Sequence, residues 1–205
     1  MGIRDKIAAE RRDLADLLDT LTEAQWDAPS LCEGWRVREV AAHLTMAMRH
    51  PARRLARELL RARGSMDRVT DRLARADTAA LGTRELAEAL RADAEHPWKM
   101  PISGYDMVLA HDVVHGLDIT VALGLDRRIP EDRLRTVLAR VGPRSARFFG
   151  ADLSGVALRA DDLDWSYGSG EPVTGPAQEL LLLAFGRTVP PGRLRGGAAG
   201  RFVRV

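Results

Sequence analysis

The chain has 205 residues, enough for one large domain or a domain with a small appendage, and enough to bury a core without disulfide staples. Hydrophobic residues are 45% and charged residues 29%, and one cysteine, Cys32, excludes an internal disulfide and fits a reducing cytoplasm. Thirty-one basic against 29 acidic residues leave a net charge of +2 and no basic stripe with interleaved aromatics, so nucleic acid is not an expected partner. The arginine-over-lysine bias, with abundant Ala, Leu and Asp, suggests a GC-rich bacterial genome.

The first segment, residues 3–21, is an amphipathic helix with Ile3, Ile7, Leu14, Leu17, Leu18 and Leu21 at threes and fours. It is charged throughout, so it is not a signal peptide. A loop through Pro29 and Gly34 leads to a second helix from Val37, which Pro51 kinks or restarts before "ARRLARELLRAR". The arginines of residues 53–63 alternate with Leu and Ala and read as a solvated face. Gly64 ends that run, and helices are expected over 66–76 and 83–95. "HPWKMPISG" at 96–104 is a loop, residues 105–123 form the most apolar helix, closed by Gly124, and 131–141 a short one.

After about residue 151 the texture changes. "GVALRADD" and "LDWSYGSGEPV" predict a short β-hairpin, 175–187 a helix opened by Pro176, and the last 14 residues one or two strands. The longest apolar run, residues 180–185, is far too short to span a bilayer, so no membrane association is expected. The expected organisation is a mainly α protein, with a helical domain over 1–150 and a small α/β domain over 151–205.

Five histidines carry the chemistry worth considering. In "LAHDVVHGLDI", residues 109–119, His111 and His115 are one helical turn apart, about 40° in azimuth and about 6 Å in rise. That spacing lets two imidazoles meet one metal ion, but it equally suits a core histidine whose polar atoms are satisfied. A third ligand is needed, and His43, mid-helix in "VREVAAHLTMA", is the best candidate. His50 lies about 10 Å further along that helix and cannot share an ion with His43. His96, before Pro97, reads as a surface residue. Asp118 reads either as the acceptor for a ligand histidine's second N–H or as a polar residue facing water; Asp112 reads as pointing elsewhere and solvated. Cys32 sits in a turn with no histidine near it in sequence and is a poor nucleophile candidate. Trp35 reads as packing its loop on the bundle, and Trp98 and Trp165 as core or domain-contact residues.

"LCEGWRVREVAAHL" at 31–44, "LAHDVVHGLDI", and "GEPVTGPAQELLLLAFGR" at 170–187 together resemble, in order, the hallmarks of the mycothiol-dependent maleylpyruvate isomerase family within the DinB/YfiT-like superfamily. The resemblance implies a DinB-like four-helix bundle followed by a small sterol-carrier-like α/β domain. It implies a divalent metal, Zn2+ with Ni2+ as second choice, on His43, His111 and His115, and mycothiol as thiol cosubstrate in an actinobacterial, cytoplasmic enzyme. The resemblance also implies that Arg187, by its distance from the chain end, matches an arginine that contributes to activity in the isomerase. Two departures stand out: His111 falls where the isomerase has a glutamate, and Arg36 where a Ser or Thr helix cap would be typical. The C-terminal domain also looks shortened.

The leading expectation is therefore a metalloenzyme that activates a thiolate for isomerisation or S-transfer on a small-molecule substrate, as a monomer or homodimer. The competing readings are a metal-dependent hydrolase and a non-catalytic, metal-stabilised binding or regulatory protein.

Overall fold

The computed structural model describes residues 1–100 and 104–204. The chain is mainly α-helical, with a helical bundle followed by a small α/β unit, as expected. Packing divides it into two compact units, Met1–His115 and Gly116–Val205. Sequence texture had suggested a division into 1–150 and 151–205; the first strand begins at Val156.

In the first unit, α1 (Ile3–Asp19) packs on α6 (Thr83–Ala92), and α3 (Val37–Arg49) packs on α6 and on α5 (Met66–Ala80). The N-terminal part of α7 (Gly104–Thr120) closes the ring of four by meeting α1 through Arg11–Asp112 and α3 through His43–His111. The ring encloses Leu14, Leu18, Val40, Ala41, Leu86, Leu90, Leu109 and Val113, all buried. A satellite core of Met46, Ala62, Val69, Leu73 and Ala74 lies beneath α4 (Ala52–Arg61), whose Leu55 and Leu59 pack on it. The α4 arginines 53, 57 and 61 are exposed, as expected for a solvated face.

The helix boundaries follow local chemistry. Ahead of Pro51, His50 is extended (φ −106°, ψ 121°), so the helical run stops and restarts as α4. The expected loop after α1 holds one extra turn, α2 (Glu23–Trp26), because Thr22 and Gln25 form a capping box: Gln25 N donates to Thr22 Oγ1 (3.3 Å) and Thr22 N to Gln25 Oε1 (2.9 Å). α3 starts without a Ser or Thr cap. Glu39 reaches back instead, accepting from Arg36 N (2.9 Å) and from the Arg36 guanidinium (2.6 Å). Burial alone would push the Glu39 carboxyl up; the bonds from the Arg36 side chain and backbone and from Thr78 more than offset it and hold it below the usual carboxylate range.

In the second unit, the strands β1 (Val156–Ala160), β2 (Ser166–Gly168) and β3 (Glu171–Gly175) form a sheet in the order β2-β1-β3. β1 and β2 are the expected antiparallel hairpin, with Leu158 opposite Tyr167. β3 lies parallel to β1 on its other side, with Leu158 opposite Val173, which the sequence pattern did not predict. To get there the chain crosses the start of β1 within two residues. A Cβ at Gly168 would lie 2.5 Å from Val156 O, and one at Gly170 2.2 Å from Gly155 O, with φ of +83° and +125°. Only glycine fits that crossing. Gly170→Ala is accordingly expected to destabilise this unit by about 2–4 kcal/mol, combining left-handed strain with the backbone clash. Urea unfolding followed by tryptophan fluorescence measures it, and a loss under about 0.5 kcal/mol would contradict the crossing.

The helix α8 spans Glu131–Leu138 and α9 Pro143–Phe148. The last helix, α10 (Ala177–Ala184), covers β1 and β3 and also meets α8. Leu180 to Leu183 are all buried, which explains why its apolar run shows no polar face. Asp162 Oδ1 accepts from Ala177 N (2.8 Å) and caps it. The expected C-terminal strands are not formed among the described residues. Arg195 makes one bridge to Thr174 and Val203 one to Val189, and Ala199–Phe202 is a 3-10 helix, because Gly196, Gly197 and Gly200 interrupt any β-alternation. Among the described residues no helix is long and apolar enough to cross a membrane.

Candidate metal centre

Three segments of the first unit bring the candidate site together: mid-α3, α7, and the loop 28–36. α7 sets His111 and His115 one turn apart on the same side, and α3 presents His43 to them. The three rings stand almost equidistant, with centroids 4.9 Å apart for His43–His111, 4.9 Å for His43–His115 and 4.6 Å for His111–His115. They are steeply inclined to one another, at 55°, 87° and 79°, so ring edges converge rather than faces stack. One nitrogen from each ring lies within 4.8 Å of the others, and all three residues are half-buried. His43 Nε2 and His111 Nε2 approach to 3.1 Å. Two imidazole nitrogens on a tetrahedral Zn2+ at 2.0–2.1 Å sit about 3.3 Å apart, so the observed spacing is that of a ligand pair. The donor set is also right for a borderline-soft divalent ion: three imidazoles with a half-open side.

The surroundings hold these rings in place. His111 Nδ1 lies 3.0 Å from Asp112 Oδ1, and Asp112 Oδ2 accepts from Arg11 Nε at 2.7 Å. Arg11 Nη1 donates in turn to Asp93 O at 2.9 Å. Arg11 and Asp112 are each 1% exposed. Asp112 therefore does not point away into solvent, as its position next to His111 had suggested. Successive side chains on a helix diverge, but imidazole Nδ1 sits close to the main chain, within reach of a short carboxylate one residue on. The second reading of Asp118, a polar residue facing water, is overturned as well. Asp118 is fully buried in the second unit and accepts a two-pronged grip from Arg187, Nε to Oδ1 and Nη2 to Oδ2, both 3.0 Å. Arg187 Nη1 also donates to Phe185 O (2.9 Å).

The loop 28–36 supplies two contacts that no sequence spacing indicated. Cys32 Sγ lies 3.7 Å from His115 Nδ1, and the Trp35 ring sits 5.2 Å from the His43 ring. The loop is tied by Ser30 N to Trp35 O, Trp35 N to Cys32 O and Val37 N to Ala28 O. It is pinned to α5 by Trp35 Nε1 to Asp71 Oδ1 (2.9 Å) and Arg75 Nη2 to Gly34 O (3.0 Å). Trp35 thus packs the loop as expected, and its ring also walls the site.

The other histidines are elsewhere. His50 is buried with Nε2 on Asp77 Oδ2 (2.9 Å), beside Arg49 on the same oxygen (2.6 Å). His96 is exposed, while Trp98 and Trp165 are half-buried. Residues 101–103 of the expected 96–104 loop lie outside the described residues.

Comparison with known proteins bears on the domain and the fold. Residues 7–101 match the model of the mycothiol maleylpyruvate isomerase N-terminal domain. The chain is similar in fold to the crystal structure of the mycothiol-dependent maleylpyruvate isomerase (TM-score 0.56, 19% identity, 97% of this chain and 96% of that one). A crystal structure of a histidine-to-alanine mutant of that enzyme matches equally (TM-score 0.56, 18% identity, the same coverage). No curated protein matches. The helical segment that carries His43 thus resembles the N-terminal domain of the mycothiol-dependent maleylpyruvate isomerase family, and the chain shares the fold of that enzyme.

Proposed function

We propose that this protein is a divalent-metal-dependent, mycothiol-using enzyme of the isomerase or S-transferase type, with the metal, Zn2+ in the first instance, held by His43, His111 and His115. The convergence of three ring nitrogens within 4.8 Å carries this reading. The match of residues 7–101 to the N-terminal domain of that isomerase family supports the thiol cosubstrate. When bound, a divalent cation supplies an open, Lewis-acidic position that lowers the pKa of a thiol and favours its thiolate. Three neutral imidazoles leave the charge of such an ion undiminished, one unit more positive than a set with a carboxylate in the place of His111. The half-buried setting and the Trp35 ring beside His43 would limit water at a thiol held there, which strengthens charge interactions.

The thiolate of the cosubstrate then adds to an electron-poor double bond of the substrate. For isomerisation, rotation about the new single bond and expulsion of the thiolate follow; for transfer, the adduct leaves with its C–S bond intact and takes up a proton. Arg187 is proposed as the group that pairs with a substrate carboxylate, its guanidinium plane fixed by Asp118.

Cobalt substitution tests the thiol directly. Addition of mycothiol to the Co2+-loaded protein is expected to produce a sulfur-to-cobalt charge-transfer band in the near ultraviolet. An unchanged spectrum at millimolar thiol would rule out a thiol cosubstrate and leave hydrolysis, or binding without turnover, as the remaining readings.

A further inference from the structure

We propose that Asp112 is the positioning residue of the candidate centre, and that it sets the tautomer of His111. The inference rests on the reading of the three histidines as metal ligands. A neutral imidazole carries one proton on two nitrogens, and only the bare nitrogen can ligate. His111 Nε2 faces His43 Nε2 at 3.1 Å, so Nε2 is the ligand atom and the proton must reside on Nδ1. Asp112 Oδ1, 3.0 Å from Nδ1, enforces this. A bare Nδ1 would set its lone pair against a carboxylate oxygen inside the protein, where such a repulsion is poorly screened. The hydrogen bond runs from Nδ1–H to Oδ1.

The second oxygen explains why the residue is an aspartate. Oδ2 accepts from Arg11 Nε at 2.7 Å, and Arg11 is itself anchored on Asp93 O at 2.9 Å. Both oxygens of a side chain 1% exposed are therefore engaged, one on the ligand histidine and one on a buried guanidinium. The chain α6 C-terminus, Arg11, Asp112, His111 runs from the backbone at Asp93 to the candidate metal position without an exposed link longer than a hydrogen bond. An ion pair serving stability alone would require Oδ2 and Arg11 but not the orientation of Oδ1 onto Nδ1. Outer partners of this kind raise ligand basicity and hold ring orientation, and their loss costs metal affinity about 10–100-fold.

Asparagine at this position makes a sharp test, because it offers one oxygen where two are used. Arg11 can only donate, so it takes the oxygen, and the amide NH2 of the Asp112→Asn variant turns toward Nδ1. A donor facing Nδ1 selects the opposite tautomer, with the proton on Nε2.

The full-length, 15N-histidine-labelled protein, stripped of metal by a chelator, is examined by long-range 1H–15N correlation, with the His111→Ala variant assigning the signals. In the wild type, His111 is expected to show a protonated Nδ1 and a bare Nε2; in Asp112→Asn the pattern inverts. Zn2+ affinity, by competition with a chromogenic chelator, is expected to fall about 10–100-fold in Asp112→Asn with the near-ultraviolet circular dichroism retained. A wild-type His111 protonated on Nε2, or a folded Asp112→Asn protein with unchanged Zn2+ affinity, overturns the proposal. Should the variant not fold, the wild-type tautomer decides alone. Equal Zn2+ binding by wild type and His115→Ala would instead overturn the metal reading, a result independent of the His111 tautomer.

Discussion

His115→Ala is expected to weaken Zn2+ or Co2+ binding by more than about 100-fold, beyond the 10–100-fold that losing an outer-shell partner costs. His115 is one of three nitrogen donors that converge within 4.8 Å, and its i, i+4 pairing with His111 would pre-form half of a four-coordinate shell on a single helix. Removing one ring leaves two imidazoles from different helices, α3 and α7, with water completing the sphere. Wild-type protein should purify with about one divalent ion per chain by elemental analysis, as a single three-histidine site requires. The variant should have lost most of it. His115 is half-buried, so the metal-free variant is expected to unfold within about 1 kcal/mol of the metal-free wild type. That comparison separates ligand loss from a general collapse. Equal metal content in the wild type and in the variant with His43, His111 and His115 all replaced by alanine would remove the site altogether.

Arg11→Ala is expected to be the most destabilising single change in the first unit, at about 3–5 kcal/mol. Both partners of the Arg11–Asp112 pair are 1% exposed, at 2.7 Å. Truncating the guanidinium would strand a buried carboxylate with only His111 to donate to it, and would remove one of the two donors to Asp93 O, leaving His96 N. Replacing the pair together, Arg11→Met with Asp112→Leu, is expected to recover most of that stability, because two desolvated charges are exchanged for packed apolar volume. Metal affinity should stay low in this double variant, since His111 still lacks its acceptor. Urea unfolding followed by far-ultraviolet circular dichroism reads the first effect and chelator competition the second. A cost below about 1 kcal/mol for Arg11→Ala would show that the pair is relaxed by water. Recovery of metal affinity in the double variant would show that Asp112 acts through packing alone.

Periodicity and punctuation alone placed most of the helices. Apolar residues at threes and fours gave α1, α3, α6 and α7, and Pro51 and Gly64 marked the ends of α4, because these signals are local. The i, i+4 spacing of His111 and His115 is a property of one helix, so that pair was legible as a shared face. Axial rise kept His43 and His50 from sharing one ion, and the Pro51 break after His50 made His43 the candidate; in the structure the His43 ring lies 4.9 Å from those of His111 and His115. The turn α2, held by the Thr22–Gln25 capping box, was not read from the sequence, because it lies inside a segment marked as loop by Pro29 and Gly34.

Other features were decided only in three dimensions. β3 runs parallel to β1 because Gly168 and Gly170 let the chain cross within two residues, and alternation along a strand carries no information about which neighbour it pairs with, or in which direction. Asp118 meets Arg187 from 69 residues away, Asp112 meets Arg11 from 101, and Cys32 meets His115 from 83. Along the chain Asp112 read as solvated, Asp118 as ambiguous and Cys32 as inert. Composition and spacing fix which faces are apolar and which residue types share a helical turn. They do not fix which buried carboxylate receives which proton, since that depends on partners brought in by tertiary packing, and it is those partners that set two histidines on an apolar helix into a candidate metal centre.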